Sequence, residues 1–82
     1  MYRANVTITL RKSILDPQGK AAHSALKNLG LNQIETVRIG KLIQLNIDAE
    51  SESSARKLAD TACSKLLANE VMEDYTIEIE KQ

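Results

Sequence analysis

Apolar and polar residues alternate strictly at the start of the chain and again near its end. Between Tyr2 and Leu10 the apolar side chains occupy every second position, and Tyr75, Ile77 and Ile79 repeat the pattern. A period of two residues is typical of a β-strand with one buried face. The pattern therefore predicts a first strand over Tyr2 to Leu10 and a last strand around Ile77.

A first helix is predicted between these strands by its start and stop signals. Asp16 is a good N-cap, and Pro17 suits the first helical turn because its missing N–H has no partner there. Gly30 suits the left-handed residue that follows a helix. The helical period predicts a buried face made of Ala22, Ala25, Leu26 and Leu29.

A second helix is predicted after the segment AESESS. Ser51 or Ser53 can cap its start, and Asn69 is expected near its end because asparagine tolerates the left-handed conformation. Its predicted buried stripe is formed by Ala55, Leu58, Ala59, Ala62, Cys63, Leu66 and Leu67.

Two short apolar runs in the middle of the chain predict a β-hairpin. A three-residue loop at 40–42 would pair Ile39 with Ile43 and Val37 with Leu45, which keeps one face apolar. A two-residue loop would mix buried and exposed faces. We therefore expect the three-residue loop or a bulge.

The resulting order, strand, helix, strand, strand, helix, strand, predicts an α+β fold of the ferredoxin-like βαββαβ type. In this fold a four-stranded antiparallel sheet carries two helices on one face, and residues 1–82 form a single domain. The other face of the sheet is predicted to be polar and uncovered, with Asn5, Thr7, Thr9, Gln44, Asn46, Thr76 and Glu78.

Composition adds exclusions and one expectation. The chain has 82 residues, 11 basic and 11 acidic, with no Phe and no Trp. Zero net charge and few aromatic residues argue against a nucleic-acid binder. No apolar run approaches a membrane span or a signal peptide, which predicts a cytoplasmic protein. A thin aliphatic core predicts association, as a homodimer or tetramer.

Candidate catalytic groups are few. His23 has no second histidine for a metal site, and Cys63 lies on the predicted buried stripe, where a free thiol behaves as a small hydrophobe. Some ferredoxin-like proteins are acylphosphatases, whose site needs a backbone cradle for phosphate after the first strand. In this chain the single glycine of that loop, Gly19, falls in the first helical turn, so the loop is not glycine-rich. The residues thus predict no catalytic, cofactor or metal site.

Three segments, taken together, carry a resemblance to a known family. SILDPQGKA at 13–21, VRIGKLIQL at 37–45 and CSKLLANEVMEDY at 63–75 resemble PurS, the small subunit of phosphoribosylformylglycinamidine synthase. The resemblance implies a step of purine biosynthesis that uses ATP and glutamine-derived ammonia. It further implies a non-catalytic subunit that joins a glutaminase to a large synthetase subunit, which binds ATP and magnesium, and that supports ammonia transfer.

The resemblance also assigns residues. Gln18, Arg38 and Lys41 are predicted to contact a partner subunit, because their side chains neither cap nor pack in the predicted fold. The structural motif positions are Asp16, Pro17, Gly19, Gly40, Leu66, Leu67 and Asn69. The alternative function is a dimeric ferredoxin-like regulatory module that binds a small metabolite.

Overall fold

The chain folds into three β-strands and two α-helices, and a computed structural model describes all 82 residues. The strands are β1 (Tyr2–Leu10), β2 (Lys41–Ile47) and β3 (Glu73–Lys81), and the helices are α1 (Pro17–Asn28) and α2 (Glu52–Ala62). A π-helical turn, Cys63–Leu67, continues α2. The predicted first and last strands and both predicted helices are confirmed.

The sheet is antiparallel, with β1 in the centre between β2 and β3. Val6 faces Ile43 on β2 and Ile77 on β3, so that apolar residues of all three strands share one face. α2 packs on this face, mainly over β1 and β3. The buried core is made of Ala4, Val6, Ile8, Ala55, Ala59, Cys63 and Ala68. The prediction that Cys63 is a core side chain is therefore confirmed.

The predicted four-stranded sheet is wrong, because the sheet has three strands. The missing strand is the one predicted around Val37 and Ile39. That segment lies against the loop after β1, where the Ile39 N–H donates to Asp16 instead of to a neighbouring strand. The predicted hairpin loop is also wrong, since Lys41 and Leu42 already belong to β2.

The prediction that both helices cover the sheet is also wrong. Only α2 does so, and within α1 only Gly19 is buried. Leu29, predicted on the buried face, is 75% exposed. The radius of gyration is 16.1 Å, whereas a compact chain of this length has about 12 Å. α1 and the segment after it therefore extend from the body; we call residues 17–36 the arm.

The second helix departs from its predicted stripe at the π-turn. The Ala68 N–H donates to the Cys63 carbonyl over 3.0 Å, which marks the wider turn. A π-turn inserts one residue, so Leu67 takes the inward place that Leu66 would hold in an uninterrupted α-helix. Leu67 packs on the core, whereas Leu66 is 83% exposed.

A hydrogen bond between side chains ties α2 to β3. The Tyr75 hydroxyl donates to Asp60 over 2.6 Å. This bond to the Asp60 carboxylate, together with desolvation, raises the pKa of Tyr75 to about 12. The phenol is therefore neutral at physiological pH and keeps its donor proton for this contact.

The opposite face of the sheet is polar and uncovered by either helix, as predicted. Gln44 donates to Asn5, and Asn5 donates to Glu80, each over 3.0 Å, so that one hydrogen-bonded row crosses all three strands. Neither helix has the length and apolar character of a membrane-spanning segment.

Candidate interface at the root of the arm

Two passes of the chain connect the arm to the body: the outgoing pass, residues 10–16, and the returning pass, residues 37–40. Asp16, on the outgoing pass, bonds to α1 and to the returning pass. Its Oδ1 accepts the Gly19 N–H over 2.9 Å, which is the predicted N-cap contact of α1. Its Oδ2 accepts the Ile39 N–H over 2.7 Å, on the returning pass. The Asp16 side chain therefore caps the helix and holds the two passes together. Sequence reasoning predicted only the first of these contacts.

The environment of Asp16 favours its charged form. The residue is 5% exposed. The backbone N–H of Gly19, followed by that of Ile39, holds the pKa of the Asp16 carboxyl below its usual value, and the positive charge of Arg38 adds to the effect. These donors offset the loss of hydration that burial imposes on a carboxylate.

The lowered pKa of Asp16 predicts an acid-dependent loss of stability. A depressed folded-state pKa contributes stability that is present above the unfolded value near 3.8 and is lost as the pH falls through the folded value. Asp16→Asn places an amide donor against a backbone donor. We expect the variant to be less stable than the parent at neutral pH, with the difference shrinking as acid is added.

Urea unfolding of both chains, followed from neutral pH to a pH of about 2, checks this expectation. Asp48→Asn, at an exposed aspartate after β2, is the matched control. A difference in the free energy of unfolding between the parent and Asp16→Asn that stayed constant at every pH would contradict the lowered pKa of Asp16.

Arg38 makes the densest set of contacts at the root. Its Nη2 donates to the carbonyls of Arg11 at 2.7 Å, Ile14 at 2.9 Å and Leu10 at 3.3 Å. All three carbonyls lie on the outgoing pass. The sequence analysis predicted that Arg38 contacts a partner because its side chain neither caps nor packs. The structure shows instead that Arg38 is bonded within the chain. A contact between Arg38 and a partner subunit stays a prediction.

Gln18 and Lys41 are brought to the same cleft, of about 300 Å³. Asp16, Pro17, Ile39 and Glu73 also line it. The Lys41 ammonium lies 3.8 Å from a Glu73 carboxylate oxygen, with more than half of the lysine side chain exposed. Arg38 lines a separate cavity on the arm side, so the three predicted contact residues do not form one surface.

The two glycines of the motifs permit close backbone approaches. A Cβ at Gly19 would lie 2.2 Å from the Val37 carbonyl oxygen, and one at Gly40 would lie 2.4 Å from the Ile8 carbonyl oxygen. Neither distance is compatible with a side chain. Because these contacts join residues far apart in sequence, spacing along the chain could not predict them.

Comparison with known proteins identifies the family. The sequence profile of PurS, described as phosphoribosylformylglycinamidine (FGAM) synthase, matches residues 3–81. The chain belongs to the PurS family. It is 50% identical to the PurS subunit of phosphoribosylformylglycinamidine synthase from Mycobacterium leprae, over all of both chains. The family resemblance and the assignment to a subunit of this purine-biosynthetic synthase are confirmed.

Solved PurS structures share the fold. The crystal structure of Methanocaldococcus jannaschii PurS, 40% identical, superimposes with a TM-score of 0.90 over 100% of this chain and 99% of that one. A chain in the structure of PurLQS from Thermotoga maritima, 26% identical, gives 0.88 over 96% of each chain. The three-stranded PurS-family chain is thus similar to known PurS structures along its whole length.

The end of the π-turn in this PurS-family chain differs from the prediction in one respect. Asn69 does not adopt the left-handed conformation, since no residue other than glycine has a positive φ. Its Oδ1 instead accepts the N–H groups of Val71 and Met72, at 3.0 and 3.3 Å. Asn69 therefore ends the helical segment with a side-chain turn.

The two side chains of this PurS-family chain with the chemistry of a nucleophile or a base, Cys63 and His23, have structural contacts. Burial, with a smaller contribution from Asp60, raises the pKa of the Cys63 thiol, which keeps it protonated and a poor nucleophile. The His23 Nε2–H donates to the Ile34 carbonyl over 2.8 Å, which braces the arm. No three His, Cys, Asp or Glu side chains are grouped so that they could hold a metal ion.

Proposed function

We propose that this chain is a non-catalytic structural subunit of the formylglycinamide ribonucleotide amidotransferase complex. In this proposal it joins the glutaminase subunit to the large synthetase subunit and supports ammonia transfer between them. ATP and magnesium bind in the large subunit, and the complex acts in the cytoplasm. The observation that carries the proposal is the match, over 96% of each chain, to a chain in the PurLQS structure from Thermotoga maritima.

The shape of the chain supports a role in assembly. The arm extends from the body without packing on the sheet, and Leu29, the residue that caps the end of α1, is exposed. Leu66 and Val71 are also exposed, beyond the π-turn. Exposed apolar side chains of this size are favourable sites for contact with other subunits.

The cleft with Gln18 and Lys41 is the proposed contact for a partner subunit. An amide and an ammonium at the rim of a cleft provide directional hydrogen bonds. Because Lys41 is paired with Glu73 over a long 3.8 Å contact, a partner carboxylate can take part without breaking a strong bond. We expect Lys41→Ala and Gln18→Ala each to weaken assembly, while Lys57→Ala, on the exposed side of α2, does not.

A homo-oligomer is also proposed. α2 lies mainly over β1 and β3, so the apolar residues of β2, including Ile43 and Leu45, are only partly buried. The apolar side of α1 is equally without cover. A second copy of the chain can bury both surfaces at once, in a dimer or tetramer. This also explains how so small a core is stabilised.

Light scattering of the isolated chain tests the homo-oligomer. The parent chain is expected to have a mass of two or four copies, and Leu29→Glu, which puts a charge on the apolar side of α1, is expected to shift it toward one copy. Asn28→Glu, at the exposed neighbouring position, is the matched control. A parent chain with the mass of one copy at all concentrations would overturn this part of the proposal.

The subunit role is tested by mixing the chain with the matching synthetase and glutaminase subunits. We expect entry into a complex and restoration of glutamine-dependent synthase activity, with no activity of the chain alone. Activity with ammonium in place of glutamine separates loss of ammonia delivery from loss of the synthetase itself. A chain that stayed separate and left glutamine-dependent activity unchanged would refute the role and favour the metabolite-binding module.

A further inference from the structure

The arm needs a device that sets its direction. α1 is not packed on the sheet or on α2, so no apolar interface orients it relative to the body. Only the outgoing pass, residues 10–16, and the returning pass, residues 37–40, connect the two parts. Two unbraced loops would leave the arm free to swing, because loops without tertiary contacts have low local stability.

Arg38 joins the two passes at several points. From the returning pass, its guanidinium bonds to carbonyls at the end of β1 and at both ends of the turn 11–14. That turn is itself closed by the Ile14 N–H, which donates to the Arg11 carbonyl over 2.8 Å. A single nitrogen, Arg38 Nη2, thus bonds the strand end and the turn together.

Asp16 adds a bond at a different place on the same two passes. Its carboxylate accepts the Ile39 N–H, on the residue next to Arg38, while it also caps α1. A single point of attachment leaves the two passes free to pivot on each other, whereas two separate points restrict that movement. The pair therefore restricts the angle at which α1 leaves the sheet.

We propose that Arg38 is a positioning residue that sets the direction of the arm, and thereby presents α1 to the subunits of the complex. Its effect on assembly is indirect and intramolecular, in contrast to a direct contact between its side chain and a partner. The effect on assembly rests on the proposed function, whereas the effect on the arm does not.

The orientation is measured by the distance between two spin labels on the whole chain. One label is placed at Asn28→Cys on the arm and one at Glu52→Cys on the body, in a Cys63→Ala background, with excess unlabelled chain to suppress distances between copies. The parent is expected to give a single narrow distribution. Arg38→Ala and Arg38→Lys are expected to lose it, because alanine has no donor and the lysine ammonium ends one bond short of the position of Arg38 Nη2, the nitrogen that makes all three contacts.

Arg56→Ala is the matched control. Arg56 also donates to a backbone carbonyl, that of Ile77 at 3.0 Å, but it lies on α2 away from the arm. Circular dichroism confirms that each labelled variant is folded, and the lysine variant keeps the charge in case the alanine variant does not fold. A distribution as narrow in Arg38→Lys as in the parent would overturn the proposal.

Assembly is then measured with the same variants and the partner subunits. We expect Arg38→Lys to bind about tenfold more weakly, because only about a tenth of the chains would then hold the arm in the direction that binding requires. Broadened distances with unchanged assembly would overturn the link between arm direction and binding. If the parent itself does not assemble, the proposed function fails, while the label distances still decide the role of Arg38 in the arm.

Discussion

Replacing Ile8 by alanine is expected to lower the free energy of unfolding by about 2–5 kcal/mol. Ile8 is 1% exposed and is the largest fully buried side chain. It lies on the central strand and packs in one cluster with Val6, Cys63 and Ala68, where its removal leaves a cavity. In a chain with only nine buried residues, a loss of this size approaches the whole stability of the fold.

Urea unfolding at equilibrium measures this effect. Leu66→Ala is the control, since it removes an aliphatic side chain of the same volume from a position outside the core. We expect the unfolding midpoint of the isolated chain to change little in the control and to fall steeply in Ile8→Ala. Equal losses in the two variants would show that Ile8 is no more deeply buried than Leu66.

Replacing Gly19 by alanine is expected to destabilise the chain by about 1–3 kcal/mol through overpacking. The added methyl group would lie 2.2 Å from the Val37 carbonyl oxygen and 2.8 Å from Asp16 Oδ2. The first contact is with backbone, which cannot rotate away, so α1 and the returning pass must separate. The direction is opposite to that of an ordinary glycine in a helix, where alanine is favoured by up to about 1 kcal/mol.

Thermal unfolding compares Gly19→Ala with Ser24→Ala, an exposed substitution on the same helix. The control is expected to be neutral or slightly stabilising, since alanine has the higher helix propensity. An increase in stability in Gly19→Ala would mean that the returning pass does not lie against α1. The same variant should also broaden the label distances of the arm, because it forces α1 away from the returning pass, on which Arg38 lies.

Local patterns in the sequence predicted the elements themselves. The alternation in β1 and β3 reflects one buried sheet face, which any strand in a two-layer fold must have. Asp16 and Pro17 predicted the start of α1 because capping depends only on residues within one turn. Both kinds of signal lie within a few residues, so the elements can be predicted without knowledge of the rest of the chain.

The arrangement of these elements in space could not be predicted from local patterns in the sequence. The segment around Val37 and Ile39 has the apolar alternation of a strand, but its hydrogen bonds go to Asp16 and to the loop after β1. The apolar stripe of α1 predicted a helix packed on the sheet, and the same stripe equally suits a contact with another subunit. A hydrophobic period shows that one face of a helix is to be buried. It does not show whether that face packs on the sheet of the same chain or on another subunit.

The family resemblance predicted the functional assignment, and the structure redefined the candidate site. Gln18 and Lys41 share a cleft as residues of one contact should, whereas Arg38 bonds to three backbone carbonyls within the chain. No spacing in the sequence indicates which carbonyls a distant arginine will reach. The outward turn of Leu66 is likewise a consequence of the π-turn, which the unbroken helical period concealed.

The sequence by itself determined the first and last strands, the helix starts, the burial of Cys63 and the family. Only the tertiary structure decided the number of strands in the sheet, the direction of the arm and the bonds of Arg38 to backbone carbonyls within the chain. The physical reason is range: capping and periodicity depend on neighbours along the chain, whereas the root of the arm is built from hydrogen bonds between residues more than twenty positions apart.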